Sequence, residues 1–232
     1  MDAFLQFVME RVVPGLNVGL LVSLKLIIPA SALGVVFGVL TGTIRVYGPR
    51  PLRWMADVYV AIFRGTPLVV QLYFWYFALP YISVGGFRLV LDPMEAAVIG
   101  FFMCSAAYQS EYVRMGLMSI KSGQLKAAEA LGMTPFQTVV HIVLPQAVRR
   151  ALPGCGNEII YLIKYSSLAS IITVNDLTGM GREIAKATWR NIEVFSVVGL
   201  YYLLLVTLAT WGLRELEKRT SIPGFNAISS GD

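Results

Sequence analysis

The segment Gly123–Ala147, GQLKAAEALGMTPFQTVVHIVLPQA, is a polar interruption in a chain that is otherwise strongly apolar. Its alanine-rich part, residues 124–131, predicts a short helix with a small apolar face formed by Ala127, Ala128 and Leu131. Gly132 is expected to end this helix, because glycine adopts the left-handed conformation at a helix C-terminus at little cost.

A second helix is predicted to begin directly after this glycine. Thr134 and Gln137 form a capping-box pattern, and Pro135 between them suits the first helical position. Leu144-Pro145 predicts an end or a bend, because the residue before a proline is pushed away from helical geometry. The whole segment is therefore predicted to be a helix, a sharp turn and a second helix.

The composition indicates an integral membrane protein. The chain has 232 residues, of which 56% are hydrophobic and only 14% charged, with a mean hydropathy of +0.66. A chain with these values is too apolar to be an ordinary water-soluble domain.

The two cysteines, Cys104 and Cys155, lie in apolar segments, and the chain has one histidine. No zinc-binding spacing is present, so we expect no metal site and interpret both cysteines as packing residues.

The apolar segments predict an all-α fold with five transmembrane helices in one domain spanning residues 1–232. About 20 apolar residues are needed for a helix to cross the hydrocarbon layer. The predicted spans are 17–44, 54–81, 94–113, 152–174 and 194–213. The second is interrupted by FRGTP, where a threonine cap before a proline marks a new helix start.

The distribution of basic residues predicts the orientation. Eleven lysines and arginines flank one side of the five spans and five flank the other, while three fall within the spans. Because the richer side faces the cytoplasm, the N-terminus is expected outside and the C-terminus inside. The loop 114–150 is then cytoplasmic. No basic patch interleaved with aromatic residues suggests nucleic acid as a partner.

Helix physics leaves two interpretations of this cytoplasmic loop equally open. Small alanines let a partner's surface approach the backbone closely, which favours docking into a partner protein. An interfacial helix pair lying against lipid headgroups has the same pattern.

Four ordered motifs resemble one family. AAEALGMTPFQTVVHIVLPQA resembles the cytoplasmic signature loop of permease subunits of binding-protein-dependent ABC importers. The segments Phe63–Leu72, Ser105–Leu117 and Leu152–Ser170 are similar to the polar amino acid branch, of the histidine and glutamine type. The resemblance covers roughly residues 15–219 and implies a fold with a methionine-permease-like core.

The resemblance implies that the loop is a coupling helix seated in an ATPase subunit. The residues assigned to that contact by similarity are Lys126, Ala127, Ala128, Glu129, Leu131 and Gly132. The family usually has a glutamate at the position of Lys126, and Glu129 lies one turn away.

The resemblance also implies a multi-pass protein of the bacterial inner membrane that works with several partners. These are a cytoplasmic ABC ATPase dimer, a second identical or homologous permease, membrane lipid, and a periplasmic or lipid-anchored amino acid binding protein. This chain has no phosphate-binding loop, because Lys121-Ser122 is preceded by isoleucine rather than glycine. We therefore expect no catalytic residue and no bound cofactor here, with ATP and Mg²⁺ on the partner ATPase.

Polar residues at membrane depth are candidates for the substrate pathway, since they usually face a bundle interior or a cavity. An amino acid needs donors for its carboxylate and acceptors for its ammonium group. The candidates are Ser105, Tyr108, Gln109, Asn157, Glu158, Lys164, Ser166, Ser167 and Ser170. Hydrogen bonding between helices is the alternative role for each of them.

Three further charged residues are given structural roles. Arg64 precedes the break in the second span, which predicts a position at the cytoplasmic interface and a structural or gating role, with substrate binding as the alternative. Glu111 and Arg114 are three residues apart, and this spacing predicts a local ion pair.

The polar segment 175–193 is predicted to form a short helix over the outer mouth of the cavity.

Glycines recur at every fourth position of the first predicted span. Gly34, Gly38 and Gly42 share one helical face. Small residues at this spacing allow close contact between helices.

Two other functions are considered. A secondary transporter driven by an ion gradient would need ion sites and often carries internal repeats, and no convincing repeat appears in this sequence. A non-transporting membrane scaffold would use the loop to bind a partner. Solute movement by a reconstituted complex distinguishes a transporter from this scaffold.

Overall fold

The computed structural model describes residues 2–220 and is almost entirely helical in that range. The α-helices are α1 (Asp2–Phe7), α2 (Val13–Tyr47), α3 (Arg50–Gly65), α4 (Leu68–Tyr73), α5 (Pro93–Met118), α6 (Ser122–Ala130), α7 (Pro135–Thr138), α8 (Leu144–Tyr165), α9 (Leu177–Thr188) and α10 (Asn191–Thr220). A small antiparallel hairpin, β1 (Ser83–Val84) and β2 (Phe87–Arg88), precedes α5.

Helices α2 and α5 run parallel to each other and form the largest helix contact of the fold. The predicted glycine face of α2 lies directly against α5. A Cβ atom added at Gly38 would lie 2.7 Å from the Cβ of Gln109, and one at Gly42 would lie 2.7 Å from the carbonyl oxygen of Ser110. These distances confirm the predicted close contact, since only a residue without a side chain fits there.

The predicted interruption of the second span is confirmed. Helices α3 and α4 meet at 105° across a break at Thr66-Pro67. The buried Gln71 stabilises this break, since its Nε2 donates to the carbonyl oxygens of Phe63 at 2.9 Å and Thr66 at 3.1 Å. Beyond α4, a π-helical turn and a 3₁₀ turn lead to the β-hairpin.

The glycine turn and the capping box predicted for the loop 114–150 are confirmed. Gly132 follows α6 with a φ of 76°, and the Thr134 and Gln137 side chains form both hydrogen bonds of the capping box before α7. The helix does not end at Leu144-Pro145. Instead, a π-helical turn, Val139–Val143, joins α7 to α8. Pro145 is the second residue after this π-helical turn, whose wider geometry accommodates a residue that has no backbone N–H to donate.

Segment 175–193 forms the predicted short helix, α9. Asp176 caps it by accepting hydrogen bonds from the backbone N–H groups of Thr178 and Gly179. The backbone N–H of Leu177 donates to Ser23 Oγ at 3.0 Å, which joins the start of α9 to α2. Trp189, with a φ of 59°, turns the chain into α10.

Two described helical stretches are long and apolar enough to cross a membrane, Ala3–Tyr47 and Asn191–Thr220. A third membrane-crossing stretch is present if the two bent segments Arg50–Gly65 and Leu68–Tyr81 are taken together as one span. Helices α5 and α8 do not meet this criterion of length and composition within residues 2–220. The C-terminus, which is expected on the cytoplasmic side, is not among the described residues 2–220.

Candidate translocation cavity and coupling loop

A cavity of about 400 Å³ lies between the α3–α4 break, α5 and α8. The break contributes backbone and side chains from Thr66 onward because the chain changes direction there. The lining residues are Thr66, Pro67, Leu68, Val69, Phe101, Cys104, Ser105, Tyr108, Tyr112, Glu158, Tyr161, Leu162, Tyr165 and Leu168.

The cavity wall combines one carboxylate with four tyrosine rings. Glu158 is the one acidic residue of the lining, and its side chain is buried. Helix α5 contributes Tyr108 and Tyr112, and α8 contributes Tyr161 and Tyr165. Because aromatic faces attract cations and a buried carboxylate needs a partner, this wall suits an ammonium group.

Three of the nine predicted pathway residues line the cavity: Ser105, Tyr108 and Glu158. Gln109 lies behind the wall, fully buried against α2, and its Nε2 donates to Ser105 Oγ at 2.9 Å. Gln109 therefore positions a lining hydroxyl and is not itself part of the lining.

The other five predicted pathway residues lie away from the cavity lining. Asn157 and Lys164 are exposed, and Lys164 Nζ lies 4.4 Å from the centre of the Tyr161 ring. The three serine hydroxyls donate to backbone carbonyl oxygens within their own helical turns: Ser166 to Ile163, Ser167 to Lys164 and Ser170 to Ser167.

Sequence reasoning identified Tyr108 but not Tyr112, Tyr161 or Tyr165, and it did not identify the α3–α4 break as part of a cavity. Each tyrosine pair is spaced by four residues, which places both rings on one helix face. The break was predicted as an interruption of a span, and an interrupted span leaves backbone groups that need a cavity or protein around them. These two signals were present in the sequence.

A cluster of charged residues lies beside the cavity and joins α2, α3 and α5. The Glu111 carboxylate accepts from Arg45 at 2.7 Å and from Arg114, and Arg64 Nη1 lies 3.4 Å from it. Arg45 also donates to Asp57 at 2.7 Å. The predicted Glu111–Arg114 ion pair is therefore confirmed, as part of a larger network.

The loop between α5 and α8 exposes much of its surface. The Leu131 side chain is 82% exposed and the Phe136 side chain 75% exposed, on either side of the glycine turn. Lys126, Ala127 and Glu129 are also exposed. Ala128 points inward and is buried, so the apolar face predicted for α6 is divided between the interior and solvent.

Comparison with known proteins identifies the family. A family model described as the inner membrane component of binding-protein-dependent transport systems matches residues 34–222. The glutamine transport system permease protein of Escherichia coli (strain K12) is 38% identical over 210 residues, covering 90% of this chain and 94% of that protein. The chain belongs to this family of inner membrane permeases.

The permease also resembles solved structures. The crystal structure of an amino acid ABC transporter with histidines contains a chain with a TM-score of 0.82 and 30% identity, covering 91% of this permease and 96% of that chain. A chain of the MetNI methionine ABC transporter, in an inward-facing form, has a TM-score of 0.73 and 21% identity, with 87% and 94% covered. The second likeness shows the fold and confirms the predicted methionine-permease-like core.

Membership of the family establishes the general role of the permease. It is a membrane subunit of an ATP-driven importer, and ATP is hydrolysed in a partner subunit. A binding protein and an ATPase are general partners of this family. The gradient-driven transporter and the scaffold are not favoured.

Proposed function

We propose that this permease forms half of a translocation pathway for polar amino acids. Five spans with the N-terminus outside would enclose the pathway together with a second permease, identical or homologous. The names of the similar proteins support an amino acid as the substrate, since one is a glutamine permease and another an amino acid transporter with histidines.

The observation that carries this proposal is the position of Glu158 in the cavity wall. Its buried carboxylate shares the wall of a cavity of about 400 Å³ with four tyrosines. An α-ammonium group supplies the positive charge and the hydrogen-bond donors that such a carboxylate requires. Ser105 and Tyr108 add hydroxyl groups to the same wall. We assign these three residues to the pathway.

The exposed loop is proposed to contact the partner ATPase dimer, which binds ATP and Mg²⁺. The proposed contact residues are Lys126, Ala127, Glu129, Leu131 and Gly132, and the exposure of Leu131 and Phe136 supports this role. Ala128, which the resemblance also assigned to the contact, is buried and is left out of the proposal. ATP binding would draw the two ATPase subunits together, move the loops and open the cavity to the outside. An amino acid binding protein would then deliver its substrate at the outer end, near α9.

Reconstitution in liposomes tests the proposed function. The permease is co-expressed with its ATPase and binding protein, and uptake of L-glutamine and L-histidine is measured with ATP enclosed. We expect uptake that depends on ATP and persists with an ionophore, because the driving force is hydrolysis and not an ion gradient. The control omits ATP. Uptake that needs a gradient, or no uptake from a folded complex, contradicts the proposal.

A further inference from the structure

We propose that Arg64 binds the carboxylate of the transported amino acid, opposite Glu158. When substrate enters, Arg64 leaves its ion pair with Glu111 and bonds to the substrate carboxylate instead. This inference rests on the proposed function and identifies the substrate by its chemistry. The ligand is a zwitterion with its ammonium group on Glu158 and its carboxylate on Arg64.

The position of Arg64 is the first step of the argument. Its guanidinium lies over the ring of Tyr108, with Cζ 5.3 Å from the ring centre, and Tyr108 lines the cavity. Arg64 also comes two residues before Thr66, the first lining residue of the α3–α4 break. Arg64 is not itself a lining residue, but its contact with Tyr108 places its side chain beside the cavity, at the end of α3.

The accessibility of Arg64 is the second step. Its side chain is 39% exposed, whereas that of Arg45 in the same cluster is 13% exposed. Arg64 keeps donors available to a ligand, because its one ion pair within residues 2–220 is with Glu111 at 3.4 Å. Charge-assisted hydrogen bonds between nitrogen and oxygen are usually 2.7–2.9 Å long, so this contact is a loose one.

The low cost of releasing Glu111 is the third step. If Arg64 turns toward a ligand, the Glu111 carboxylate keeps its hydrogen bonds from Arg45 and Arg114. No buried charge is left without a partner, which is the usual penalty for breaking such a pair. An amino acid carboxylate matches the planar guanidinium with two parallel hydrogen bonds. The exchange therefore replaces a loose contact with a bidentate one.

The exchange has a structural consequence for the broken span. The contact of Arg64 with Glu111 joins the end of α3 to α5, while Asp57 and Arg45 join α3 to α2. A substrate carboxylate that takes Arg64 removes this ion pair at the break that lines the cavity, while the Tyr59 hydroxyl still donates to the carbonyl oxygen of Met103 and joins α3 to α5. Occupancy of the cavity would thus loosen the end of α3 that carries Arg64.

Direct binding to the purified permease–ATPase complex tests this inference without the binding protein. The probes are L-histidine and its decarboxylated form histamine, and L-glutamine and its decarboxylated form 4-aminobutanamide. We expect the unmodified complex to prefer each amino acid by roughly tenfold or more, because a carboxylate–guanidinium bond is lost with the carboxylate. Arg64→Met should remove most of this preference, and Arg64→Lys should restore part of it.

Arg114→Met is the matched control, since Arg114 bonds to the same Glu111 carboxylate but its other contact is with Met118, whereas Arg64 lies over the lining residue Tyr108. This variant should keep the preference for the amino acid. Equal loss in both variants, or a preference that survives Arg64→Met in a monodisperse complex, overturns the inference. Absence of any probe binding to the unmodified complex also overturns it, whereas ATP-driven uptake in liposomes would still support the proposed function.

Discussion

At the scale of single residues, Gly38 determines how closely α2 can approach α5. We predict that Gly38→Ala destabilises the permease by about 1–3 kcal/mol, the usual cost of adding a methyl group to a filled core. The new Cβ would lie 2.7 Å from Gln109 Cβ and 3.3 Å from the carbonyl oxygen of Ala106, and neither can move without shifting α5. Thermal unfolding in detergent should show a lower midpoint.

Gly199→Ala is the control for this substitution. Gly199 also lies within a helix, α10, but an added Cβ there meets no atom within 4 Å. Alanine is the better helix former by roughly 0.5–1 kcal/mol, so this variant should unfold at the same temperature or a higher one. If both variants lower the midpoint equally, close packing at Gly38 is not the cause.

At the scale of elements, the turn at Gly132 sets the direction between α6 and α7. Its φ of 76° costs a residue with a side chain about 1–2 kcal/mol. We predict that Gly132→Ala lowers the amount of amino acid transported per ATP hydrolysed, because a loop in several conformations transmits ATPase movement less well. An added Cβ would meet nothing within 4 Å, so the effect is conformational. The measurement compares uptake with phosphate release in liposomes.

Gly123→Ala provides the comparison within the same loop. Gly123 lies in α6, has no positive φ, and has open space around it. This variant should transport normally for each ATP. A reduced ratio in Gly123→Ala, or a normal ratio in Gly132→Ala, would show that the turn is not what couples the two activities.

The elements also show what a sequence can predict here. The capping box of Thr134 and Gln137, the turn at Gly132 and the break at Thr66-Pro67 depend on residues that are close in the chain, and all three were predicted. The cavity was predicted only in part. Ser105, Tyr108 and Glu158 are polar at membrane depth, but the side that Asn157 faces depends on how α8 packs against α5. That packing is a property of the assembled fold.

At the scale of the whole molecule, the proposed five spans require α5 and α8 to cross the membrane. Both line the cavity and carry polar residues, such as Gln109 and Glu158, which lower their mean hydropathy. A helix buried among other helices does not need the continuous apolar surface of one that faces lipid. The five-span proposal therefore predicts that each of these helices separates two sides of the membrane.

Single cysteines on either side of these helices test that prediction. Tyr81 precedes α5 and is 85% exposed, Leu131 lies between α5 and α8, and Ile192 begins α10 and is 84% exposed. Each is changed to cysteine in a variant with Cys104→Ala and Cys155→Ala. A maleimide that cannot cross membranes should label positions 81 and 192 in intact spheroplasts, and position 131 only after permeabilisation. Labelling of positions 81 and 131 from the same side would mean that α5 does not cross, and the cavity would then lie outside any transmembrane path.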